Sequence, residues 1–167
     1  QFTFHDEIVI NEIMYHHGLL PTAEGQPAQT SPEQWIELYN RGPGIVDLAG
    51  WSIDGGAQFR FRPGQTLPPG GYLVVAGDAA ALQANYPLAP IAGSFTGQLS
   101  LRSEVIRLLD PLGNPADEVR YYDRGHWPAY ADGGGSSLEL QDPDADNACA
   151  ETWAASDESG KTSWVTY

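Results

Sequence analysis

Apolar and polar residues alternate with a period of two along much of this chain. The first strong run is IVINEIMY at residues 8–15, and the second is WIELYN at residues 35–40. Such alternation marks a strand with one buried face and one wetter face. Between the runs, residues 18–32 are polar and hold Pro21, Gly25, Pro27 and Pro32. They predict a long loop. Gly42-Pro43-Gly44 turns the chain into residues 45–48, and Asp54-Gly55-Gly56 follows a short apolar run at 51–53. Residues 58–61 alternate again, and Pro68-Pro69-Gly70-Gly71 reverses the chain before the apolar run at 72–76. Strands are expected next at 98–101 and 105–110. Pro111-Leu112-Gly113-Asn114-Pro115 then signals a reversal into residues 118–122. The last clear strand, 137–140, follows Gly133-Gly134-Gly135. One short helix is predicted: Asp78 caps residues 79–84, and Pro87 stops them.

About nine short strands, at most one short helix and turn signals every ten residues or so describe an all-β sandwich. Nothing in the pattern spells a β–α–β unit. The tail from Asp142 reads as polar and irregular until WVTY at residues 164–167, which looks like an opening strand. The expected division is a sandwich domain at 1–155, then a linker or the start of a following domain at 156–167.

Composition narrows the function classes. A chain of 167 residues, 41% apolar, can bury a full core. Its 22 acidic residues outnumber 8 basic ones, for a net charge of -14. That balance offers no basic stripe for a phosphate backbone, so nucleic acid is excluded as a partner. The apolar run at 72–76 is far too short to span a bilayer, so membrane insertion is not expected. Cys149 is the only cysteine and can form no intrachain disulfide. The chain opens at Gln1 without a signal peptide. A processed segment of a larger exported protein is expected, with other domains joined to it.

Four of these pieces, in order, carry a family resemblance: IVINEIMY at 8–15, WIELYN at 35–40, VDLAGWSI at 46–53 and LPPGGYLVVA at 67–76. Residues 99–101, 105–110 and SLELQDP at 137–143 fit as well. Together they resemble the bacterial lamin-tail domain, the immunoglobulin-like fold first known from nuclear lamins. The resemblance spans about residues 7 to 155. It implies an immunoglobulin-like sandwich without enzymatic activity, set in a large secreted or cell-surface protein. The function it implies is an interaction module for a protein or carbohydrate partner, with a passive spacer between domains as the alternative.

Three clusters are candidate sites. Tyr122, Trp127 and Tyr130 flank the loop at 123–126, where exposed coplanar rings would stack on a sugar. Asp142, Asp144, Asp146 and Asn147 resemble the opening of a calcium loop, in which alternate carboxylates converge on one hard cation. Structural calcium is the one cofactor this suggests. An EF-hand needs Glu at its twelfth position, where this chain has Trp153, so three solvated carboxylates on a turn is the stronger reading. Glu12 and Glu37 lie within strand patterns and could form the acid pair of a hydrolase. Hydrogen-bonded structural glutamates are the weightier expectation. His5, His16, His17 and His126 suggest no metal site, because adjacent strand residues point to opposite faces.

Overall fold

The strand β1 (Ile8–Met14) is buried along its whole length. A strand is buried that way only where both faces are covered. The reason lies in the chain that follows it. The structure, a computed structural model, describes residues 6–20 and 23–157. His5, Pro21 and the strand expected at 164–167 lie outside the described residues.

After β1 come β2 (Leu19–Leu20), β3 (Gln29–Thr30), β4 (Trp35–Asn40), β5 (Val46–Asp47), β6 (Ser52–Gly55), β7 (Ala57–Arg60), β8 (Thr66–Leu67) and β9 (Tyr72–Ala76). The helix α1 (Ala79–Asn85) leads to β10 (Ile91–Ser94), β11 (Thr96–Gly97), β12 (Ser103–Leu109), β13 (Pro115–Tyr122), β14 (Leu138–Leu140) and β15 (Trp153–Ala155). A six-stranded sheet runs β10-β9-β4-β1-β14-β15, and a five-stranded sheet runs β11-β7-β6-β12-β13. The all-β immunoglobulin-like sandwich is therefore present. The strands beyond the expected nine include five of only two residues, β2, β3, β5, β8 and β11.

The inner faces of the two sheets make the core. Ile8, Ile10, Ile13, Ile36, Leu38 and Val75 meet Ile53, Ile106, Leu108, Val119 and Tyr121. Each such side chain contributes about 1.5–3 kcal/mol by leaving water. A β-bulge between Ile10 and Glu12 adds Asn11 to β1. The extra residue resets the alternation, so both Ile10 and Ile13 reach the core. The outer face of the six-stranded sheet is covered in part as well. There Met14, Trp35, Val74 and Ala76 pack under Leu82 of α1. The helix starts as expected, with the Asp78 carboxylate accepting from the Ala81 amide. Gly55 ends β6 at φ +116°, and a Cβ there would overlap the Val105 carbonyl oxygen of β12. Only glycine fits that close approach.

Four expectations need correction. β10 pairs parallel with β9, and α1 joins them, so a β–α–β unit does exist. Its strand is short and lacks alternation, which is why the pattern did not mark it. Residues 98–101 form no strand. The Gln34 side chain takes the ladder's place there, donating to Leu99 O at 2.8 Å and accepting from Leu99 N at 2.9 Å. The loop at 18–32 carries the small hairpin β2–β3. The tail is not irregular throughout, because β15 pairs with β14 and buries Trp153 in the core.

Candidate functional site

The aromatic loop leaves the end of β13. Trp127 is only 9% exposed and belongs to the core, so it is not the surface ring that the sequence suggested. Its ring lies 6.0 Å from that of Trp153 and 6.5 Å from that of Tyr122, tilted by 33° and 51°. The unforeseen strand β15 supplies Trp153 and draws Trp127 inward. The three rings therefore make no coplanar platform. Tyr130 is 74% exposed and Tyr122 39%. Tyr130 stands on the 3-10 turn Ala129–Ala131, whose Ala131 is fully buried. The Gly134 amide donates to Tyr130 O at 3.1 Å, and the Gly133 amide to His16 O at 3.0 Å. His16 Nδ1 lies 2.7 Å from Asp132 Oδ1. This base holds Tyr130 outward on a fixed turn.

The acidic turn behaves differently. Asp142 Oδ1 accepts from the Asp144 amide at 2.9 Å, and Asp146 Oδ1 accepts from the Ala148 amide at 3.0 Å. Both carboxylates close their own turns. Asn147 points inward, where its Nδ2 donates to Asp117 Oδ2 at 2.7 Å. Among the described residues, no group of three or more His, Cys, Asp or Glu is arranged to hold a metal ion. The geometry lends the calcium expectation no support. His126 Nδ1 sits 3.9 Å from Glu151 Oε1 at the surface. Cys149 is exposed, and its thiol is pushed up mainly by the Asp146 carboxylate, which disfavours the nucleophilic thiolate.

Glu12 and Glu37 are brought together, directly opposite each other on β1 and β4. Their exposures are 8% and 3%, so neither carboxylate reaches a substrate as a hydrolytic pair must. Asn11 Nδ2 donates to Glu37 Oε1 at 3.1 Å, and Ser137 Oγ donates to Glu12 Oε1. Glu139 of β14 faces Glu12 from the other side.

The sequence did not single out Asp117. Its Oδ2 accepts from the Ile10 amide at 2.7 Å as well as from Asn147, and its Oδ1 accepts from the Glu118 amide at 2.9 Å. Burial raises its carboxyl above the ordinary aspartate range, against the pull of these hydrogen bonds. It ties β13 of one sheet to β1 of the other and to the acidic turn. A cleft of about 270 Å³ opens beside it, lined by Asp6, Arg41, Asp144 and Asp146 among others. The only signal in the sequence was a carboxylate just before an alternating run, which reads equally well as a solvated strand end. Asn40 is a second missed hub, whose Nδ2 donates to Gly44 O and Leu67 O, each at 2.8 Å.

Comparison with known proteins adds one match. Residues 4–123 match the family model of the lamin tail domain. No curated protein matches the chain. The strands β14 and β15, which complete the six-stranded sheet, follow the matched residues.

Proposed function

Since the chain belongs to the lamin tail domain family, we propose that it is a non-catalytic interaction module of an exported protein, with a protein partner held at the Tyr130 loop. The observation that carries this reading is the exposed ring of Tyr130 on a turn fixed from below. A ring held outward in advance loses little freedom on binding, which is why aromatic anchors dominate protein interfaces. A protein partner fits better than a glycan, because stacking on a sugar face needs coplanar rings and Trp127 is withdrawn into the core. Glu12 and Glu37, the one acid pair with a catalytic look, are buried and hydrogen-bonded, in keeping with a module that does no chemistry. Among the described residues, no helix is long and apolar enough to cross a membrane.

Hydroxyl-radical footprinting tests this reading. Tyr130 should be oxidised readily in the isolated domain and protected in the parent protein displayed on its native cell. Equal oxidation in both settings would instead leave a passive spacer. Retention of the isolated domain on a glycan array, lost on Tyr130→Ala, would replace the protein partner with a carbohydrate.

A further inference from the structure

The chain that leaves β1 runs alongside the Tyr130 turn. The Gly133 amide donates to His16 O at 3.0 Å, and a Cβ on Gly18 would lie 2.9 Å from Gly133 O. Gly18, at φ +130°, allows that approach because it has no side chain. Its carbonyl accepts from the Ser31 amide at 2.7 Å, which closes the base of the β2–β3 ribbon. Within the ribbon Leu19 pairs with Thr30 and Leu20 with Gln29. Both leucines stay exposed, Leu19 at 66% and Leu20 at 39%. Successive strand residues point to opposite faces, so the ribbon is apolar on each of its two faces. A two-stranded ribbon is marginal by itself in water, and exposed apolar groups that gather beside an exposed aromatic ring mark an interaction surface.

We propose that the β2–β3 ribbon and the Tyr130 turn form one docking surface, and that its occupant is a protein with an apolar groove rimmed by lysine and arginine. The proposal rests on the reading of Tyr130 as an anchor and names the partner's chemistry. Two features of the molecule support it. The first is distance. Gly18 touches Gly133, and Gly134 folds back onto Tyr130, whose Cα would lie 3.1 Å from a Cβ on Gly134. Those contacts keep the Leu19 and Tyr130 Cα atoms within about 20 Å of each other. A standard interface of about 800 Å² per partner spans more than that. The second is charge. Residues 16–40 and 125–157 hold no lysine or arginine, while Glu24 is exposed on the ribbon's loop and Asp132 adjoins the Tyr130 turn. Arg102 and Arg124 lie at the start of the aromatic loop, beside Asp123. Acidic groups around an apolar surface select a partner of opposite sign. A second copy of this chain, also at -14, would bring like charge to the same place.

Photo-cross-linking in the parent protein, displayed on its native cell, tests it. A benzophenone amino acid takes the place of Leu19 in one variant and of Tyr130 in another, and the cross-linked segments are sequenced by mass spectrometry. Both positions should mark the same polypeptide, in segments where lysine and arginine outnumber aspartate and glutamate. With the probe at position 130, Leu20→Ser should lower the yield about tenfold. Glu24→Lys should lower it about threefold at low salt and leave it unchanged at high salt. Both residues are exposed, so these variants should keep the unfolding midpoint of the native protein. Cross-linking from position 130 alone would overturn the shared surface and leave the Tyr130 reading standing. Failure at position 130 would overturn that reading and the proposal with it. Different partners at the two positions, acidic cross-linked segments or a second copy of this domain as the product would each overturn the proposal.

Discussion

The aromatic loop and the acidic turn are built on one plan and end with different uses. Each carries a cluster of side chains that looks like a site, and each is pinned by one residue that turns inward. In the aromatic loop that residue is Trp127, whose ring lies tilted beside that of Trp153. In the acidic turn it is Asn147, whose carbonyl accepts from Trp153 Nε1 at 2.9 Å. One tryptophan on β15 therefore anchors both. Beyond the anchor the two diverge. The aromatic loop keeps Tyr130 free to face outward. The acidic turn spends Asp142 and Asp146 on its own backbone. A cluster can act as a site only if its groups are not already consumed in holding its own shape.

The largest test of the shared anchor is Trp153→Ala. It should cost about 3–5 kcal/mol in denaturant unfolding, from lost burial and a cavity. Amide exchange should speed up in both the aromatic loop and the acidic turn. Faster exchange in one alone would break the comparison.

Asn147→Ala should be milder and local, at about 1–2 kcal/mol, because it removes one donor from Asp117. Exchange should quicken around the acidic turn and leave the Tyr130 turn unchanged.

Asp117 provides a pH test of the same anchor. Its native carboxyl holds a proton more tightly than the unfolded chain does. Its stabilising contribution is therefore full below the unfolded aspartate value of about 3.9 and is lost as pH rises through the higher native value. Asp117→Asn removes that titration. The stability of the native protein relative to this variant should fall as pH rises above the ordinary aspartate value of about 3.9, and a flat difference would contradict the assignment.

The smallest expected effect is that of calcium. Millimolar calcium, compared with chelator, should leave the melting midpoint unchanged, since the turn's carboxylates already close their own backbone. A rise in the midpoint that Asp144→Asn abolishes would restore the cation loop.

Much of the fold was legible because its signals are local. Alternation located β1 and β4, apolar runs located β9 and β12, Asp78 marked the start of α1, and Pro111-Leu112-Gly113-Asn114-Pro115 marked the turn before β13. The order of four such segments also pointed to the family that residues 4–123 match. What escaped is non-local. Leu99 looked like a strand residue because it is buried and apolar, yet a side-chain amide 65 positions away takes up its backbone groups. β15 escaped because WAA is too short to show a period.

The candidate sites divide in the same way. Residue type and spacing were enough to pick out the aromatic and acidic clusters and the two glutamates. Which of them face outward was decided only by the tertiary structure. Alternation shows that a strand has two unlike faces, but it does not show which distant segment covers each one. A single bulge residue, Asn11, shifts the phase of β1. A tryptophan in the tail withdraws Trp127 from the surface. The register of β1 with β4 and β14 brings Glu12, Glu37 and Glu139 into one row. Burial and charge proximity are properties of segments meeting in space, and the linear pattern holds only their preferences.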